Sequence, residues 1–135
     1  MASENLRKGS HSQTIAMAAL QANGWDVALP MTPEIYDIVA KCPLDDEWYE
    51  FQVKTLRYRP NRGGALVLPA VRGGSIPYVP EDFDYFLGVA PDNRVYLVPN
   101  EGLWEYSAVP GRLGKWTELP TEFRTSQSSR RYKND

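Results

Sequence analysis

Residues 49–59 read YEFQVKTLRYR, and the fold turns on them. Taken as a β-strand, whose successive side chains point to opposite faces, the stretch sends Tyr49, Phe51, Val53 and Thr55 one way and Glu50, Gln52 and Lys54 the other. The first set suits a buried face. The second sets a carboxylate, an amide and an ammonium side by side on a sheet surface, where burial without a partner is costly.

The neighbouring segment, EIYDIVAKC over 34–42, lies between Pro33 and PLDDE and reads as another strand. Alternation puts Ile35, Asp37 and Val39 on one face and Tyr36, Ile38 and Ala40 on the other, so Asp37 stands among hydrophobics in a structure that disfavours aspartate. If the two strands pair as a hairpin across 43–47, Asp37 meets the Gln52–Lys54 face. A carboxylate, an amide oxygen and an ammonium converging there suit a Mg²⁺ ion and a phosphate, because this hard cation takes oxygen ligands and leaves room for water and substrate. The lysine would then orient or deprotonate a water, or neutralise charge developing on the phosphate.

Working outward, SHSQTIAMAALQAN over 10–23 predicts a helix, with Ile15, Ala18, Ala19 and Ala22 on one stripe and Gln13, Ala16, Met17 and Leu20 beside it. Gly24 ends it. Ser10 and Gln13 have the spacing of a capping box, which explains Gln13 without any chemistry. WDVALP predicts a short strand between this helix and residue 34. Downstream, RPNRGG reads as a mobile basic loop, ALVLPAVRGG as a further strand, and DYFLGVAPDNRVYLVPN as a hairpin turning at Pro91, Asp92 and Asn93. Residues 101–120 look irregular. The polar stretch 121–135 is expected to be a disordered tail, leaving a single domain over 1–120.

Composition narrows the function classes. The chain has 135 residues, one cysteine (Cys42) and one histidine (His11), so neither an internal disulfide nor a structural zinc site is expected. No apolar run is long enough to span a bilayer, and a cytoplasmic location is the default expectation. The formal net charge of −2 argues against a nucleic-acid binder of the uniformly basic kind. The charge is uneven, however. Seven acidic residues between Asp26 and Glu50 face only Lys41, whereas residues 51–80 contain no acid and carry Lys54, Arg57, Arg59, Arg62 and Arg72. Such a run is often only solvated surface; here it follows Lys54 directly and would serve as phosphate contacts.

In order, KGSHSQTIAMAALQANGWDV, IYDIV, FQVKT, DYFLGV and VYLVP resemble the PD-(D/E)XK nuclease superfamily from about Lys8 to Pro99. The likeness is greatest to its small members, the intron-encoded homing endonucleases and the Holliday-junction resolvases. It implies an α/β, restriction-endonuclease-like core in which an N-terminal helix precedes a mixed β-sheet. In that family a helical acid, an aspartate on the second strand and an acid-x-lysine pair on the third form one magnesium site that hydrolyses DNA phosphodiesters. By that resemblance Asp37 is the aspartate and Lys54 the catalytic lysine. Gln52 falls where an acid is usual, a change similar to the glutamine variant of some homing endonucleases, and the helical acid falls at Gln13 in what looks like a degraded KGxxGE opening.

The expectation is therefore a Mg²⁺-dependent endodeoxyribonuclease, with Mn²⁺ as a substitute, using Asp37, Gln52 and Gln13 as metal ligands and Lys54 in catalysis. Glu50 is a second carboxylate should the site have shifted along the strand. Three readings of Gln13 stay open: a weakened natural homologue, a ligand in a relaxed site, or a deliberate Glu→Gln change. The alternative function is a catalytically inactive nuclease-fold module that binds DNA or protein. Arg57, Arg59, Arg62 and Arg72, with His11 near the helix start, are the expected contacts to double-stranded or branched DNA. The cations at 124, 130, 131 and 133 would add a salt-dependent component. Cutting both strands symmetrically would need a homodimer or higher oligomer.

Overall fold

The computed structural model describes residues 3–125. Helix α1 spans Glu4–Ala22, longer than predicted, and begins at a Ser3 N-cap whose side chain accepts from the Leu6 N–H. Ser10 thus lies inside the helix, and the capping-box explanation of Gln13 falls away. The C-terminus follows expectation: the Gly24 N–H donates to Gln21 O and the Trp25 N–H to Leu20 O, with Gly24 at φ +87°, which closes the helix in a Schellman turn. The buried stripe is Ser12, Ala16, Ala19 and Leu20, while Ala18, predicted to face inward, is exposed. Small alanines bring the helix close to the sheet, and a 2.7 Å hydrogen bond between Ser12 Oγ and Thr55 Oγ1 ties it there.

Beneath it lies a six-stranded mixed sheet of β1 (Asp26–Ala28), β2 (Ile38–Lys41), β3 (Trp48–Thr55), β8 (Tyr85–Val89), β9 (Val95–Pro99) and β11 (Thr117–Leu119), in that spatial order. Strand β3 runs parallel to β8 and antiparallel to β2; the remaining pairs are antiparallel. Alternation on β3 holds as read. Tyr49, Phe51 and Val53 face α1, and the wholly buried Phe51 meets the rings of Trp25 and Tyr85.

The predicted single strand through 59 is in fact two. The chain turns at the buried Leu56, whose N–H donates to Val89 O, and continues as β4 (Arg57–Arg59) in a second sheet. Strand β5 (Ala65–Pro69) forms the middle of that sheet and β10 (Glu105–Ala108) its other edge, and the sheet packs on the face of the first opposite α1. Leu56 also explains Gly88: a Cβ there would stand 2.7 Å from Leu56 Cδ2. A small hairpin, β6 (Val71–Arg72) with β7 (Ile76–Pro77), follows β5.

Two further expectations are corrected. RPNRGG is not a free loop: Pro60–Arg62 form one turn of 3-10 helix after β4, which pairs with β5. The segment after Asn100 is not merely irregular, since it supplies β10 and β11. The hairpin from Tyr85 to Pro99 is as read, closed by a 2.8 Å hydrogen bond from the Ala90 N–H to Arg94 O. No helix among the described residues is long and apolar enough to cross a membrane. Of the expected tail, residues 126–135 lie outside the described residues.

Candidate active site

The site begins where β2 leaves its ladder. The sequence predicts residues 34–37 inside the strand, but they precede it: β2 starts at Ile38, and Asp37 adds a side-chain bond to its backbone bond with β3. Its own N–H donates to Phe51 O at 2.7 Å, and its Oδ2 accepts the Val53 N–H at 2.8 Å. The carboxylate is therefore anchored against β3 and half-buried. Burial pushes its pKa above the ordinary carboxylate value, while the Val53 bond and the charge of Lys54 pull the other way.

Lys54 leaves β3 on the face opposite α1. Its Nζ lies 5.2 Å from the centre of the Tyr78 ring. Burial lowers its pKa below that of an ordinary lysine, and the Asp37 charge opposes that shift. The two groups feel each other without forming an ion pair within 4 Å.

Gln13 is half-buried on α1, one residue after the Ser12–Thr55 tie, and lines a surface groove together with Asp37, Val53 and Met17. Helix and strand thus bring residues 13 and 37 to one groove. Gln52, also half-buried, sits on β3 between the two backbone groups that hold Asp37, in register with Phe86. Glu50 has other company: burial, then Asp84 and Glu34, raise its pKa, and its N–H donates to Asp84 Oδ2. Among the described residues no three or more of His, Cys, Asp and Glu stand together as metal ligands, so any ion would rely on one carboxylate and neutral amide oxygens.

The expected DNA contacts separate. Arg57 and Arg59 stand two residues apart, on one face of β4, an edge strand just beyond Lys54. Arg62 donates from Nη1 to Glu105 Oε2 at 3.0 Å and is partly neutralised. Arg72 lies on the β6–β7 hairpin, close enough for its charge to lower the Tyr78 pKa, against the larger effect of burial. His11 lines a different groove, with Glu4, Arg7 and Lys8, and is not brought to Asp37. Sequence reasoning missed Tyr78, which sits after a Gly- and Pro-rich stretch with no periodicity to give it a face.

The aspartate's structural and chemical roles are separable. Asp37→Asn should keep an acceptor for the Val53 N–H and leave the urea midpoint near wild type; Asp37→Ala, by leaving that donor unpaired, should cost about 1–3 kcal/mol. Equal stability of the two variants would show that the bond matters little.

No family model matches the chain, and no curated protein does. Among solved structures, the bacterial homing endonuclease I-Ssp6803I is similar, with a TM-score of 0.57 and 24% identity over 93% of this chain and 82% of that one. At that identity the likeness concerns the fold. The chain shares an α/β fold with that structure, with an N-terminal helix laid on a mixed sheet.

Proposed function

We propose that this chain is a metal-dependent endodeoxyribonuclease of the PD-(D/E)XK type, with Asp37, Gln52 and Gln13 as metal ligands and Lys54 as the catalytic lysine. The observation that carries the reading is the half-buried pair of Asp37 and Lys54: opposite charges at one end of β3, each disfavoured by burial, with no direct ion pair between them. The nuclease-like fold supports it.

The donors are hard oxygens of the kind Mg²⁺ prefers, so they suit the ion in chemistry. Only one is charged, which leaves much of the coordination to water and DNA phosphate. When bound, the ion would neutralise charge on the scissile phosphate. The chain's own groups do the rest. The Val53 N–H orients the Asp37 carboxylate. Lys54, holding its proton less tightly than an ordinary lysine, is suited to orienting the attacking water or exchanging a proton with it. Arg57 and Arg59 would follow the backbone of double-stranded or branched DNA along the β4 edge. A homodimer would place two such sites for two-strand cutting.

Glutamine at both 13 and 52 favours a second reading, a DNA- or protein-binding module of the same fold without catalysis. Nicking of supercoiled plasmid and branched DNA with Mg²⁺ or Mn²⁺ separates the two. Cleavage supports the first; salt-sensitive binding without cleavage supports the second; neither binding nor cleavage excludes DNA as the partner. The cations make a finer forecast. Arg57→Ala should weaken DNA binding and reduce the slope of log affinity against log salt by about 1, and Arg62→Ala, already engaged by Glu105, by less. Equal slopes for all three proteins would move the DNA surface elsewhere.

A further inference from the structure

We propose that Tyr78 is the positioning residue for Lys54, holding its ammonium against the ring face so that its N–H donors stay available to a phosphate or water. The inference rests on the nuclease reading and extends it to a residue which that reading does not contain. The geometry is that of a cation–π contact, with Nζ 5.2 Å from the ring centroid, inside the range of ~6 Å in which such contacts attract. What Lys54 lacks matters equally. Its ammonium makes no hydrogen bond and no ion pair with any described residue, although the side chain is half-buried. A salt bridge to Asp37 would occupy its N–H groups; a ring face occupies none.

The ring itself is fixed. Tyr78 is buried, makes T-shaped contacts with Phe83 at 5.0 Å and Phe86 at 5.7 Å, and its backbone N–H donates to Ala70 O at the base of the β6–β7 hairpin. Phe86 belongs to β8, which pairs with β3 through Gln52. The platform is therefore braced by the same sheet that carries the lysine. Phe83 and Phe86 hold the ring by aromatic contacts of their own, independent of the cation above it.

The test uses the whole chain and two readouts. Proton NMR should show a lysine Hε signal displaced upfield by the ring current, absent from Lys54→Met, retained in Tyr78→Phe and returned to the ordinary lysine position in Tyr78→Leu. Plasmid nicking should be near wild type for Tyr78→Phe and fall about 2- to 30-fold in kcat for Tyr78→Leu, with KM for DNA unchanged. Should Tyr78→Leu fail to fold, the wild-type and Tyr78→Phe spectra still decide. An undisplaced Lys54 signal in the wild-type chain overturns the proposal, as does a Tyr78→Phe variant that folds but loses the displacement. Absence of nicking by the wild-type chain would overturn the nuclease reading instead, and the spectra would report on the Lys54–Tyr78 contact separately.

Discussion

Lys54→Met is expected to reduce Mg²⁺-dependent nicking about 10²–10⁴-fold, the range for losing a positioned proton-transfer or charge-stabilising group. DNA binding should weaken only slightly, because Arg57 and Arg59 remain. Stability at neutral pH should hold or rise, and this second expectation distinguishes a functional lysine from a structural one. The Lys54 pKa is lower folded than unfolded. Between its folded value and the unfolded value of about 10.4, the unfolded chain binds more protons, so stability rises with pH; below that window the charged lysine carries its full penalty. Asp37 has the mirror sign. Its folded pKa is raised, so its ionisation opposes folding everywhere above that value, and the penalty disappears as pH falls towards the unfolded pKa. Burial therefore opposes the charged form of both groups, so each charge is carried at some cost to the fold. A pair kept to hold the structure together would show the opposite shifts in both. Methionine keeps most of the apolar stem of Lys54 and removes the charge, so a urea midpoint at pH 7 equal to or above wild type fits an active-site lysine. A loss of more than about 1 kcal/mol would make Lys54 a structural residue.

Local signals carried much of this arrangement. Two-residue alternation on 49–55 was enough to separate Phe51 from Lys54 and give Phe51 the buried face, because a strand with a wholly buried residue tolerates no slip in register; that this face meets the helix was not legible. Gly24 and the turn around Asn93 were legible for the same reason: a left-handed φ restricts the choice of residue. What escaped was long-range. Nothing in TLRYR announces that the chain changes sheets at Leu56, since its environment is made by Val89 and Gly88, more than thirty residues away. The early start of α1 escaped because a stretch as polar as ENLRKGS gives no periodic stripe, and Ser3 as cap shows only once the turn is built. Asp37 stands out in the sequence as an aspartate among strand hydrophobics, and in the structure it lies just before β2. Its bond to the Val53 N–H depends on a neighbour across the ladder. Tyr78 joined the Lys54 surroundings by the same kind of contact between distant segments.

Gln13→Glu is expected to lower the Mg²⁺ concentration needed for half-maximal nicking by about 10- to 100-fold, the scale on which partners at a metal site change its affinity. The variant adds a second carboxylate to the groove that residue 13 shares with Asp37, on a helix turn held to β3 by the Ser12–Thr55 bond. The placement is therefore rigid, and the gain would come from charge rather than from reorganisation. The new carboxylate also has a cost without metal. Two carboxylates facing one half-buried groove repel, so the metal-free variant should melt below wild type and Mg²⁺ should raise its melting temperature more than it raises that of the wild-type chain. These two readouts separate the open roles of Gln13. Improved nicking with a metal-dependent melting shift marks residue 13 as a ligand position weakened by its amide. A melting shift without nicking means the ion binds but the site does not cut, which leaves the fold as a binding module. If neither the Mg²⁺ dependence nor the melting temperature moves, the helix contributes no ligand, and Asp37 with Gln52 would be the whole of the protein's hold on the ion.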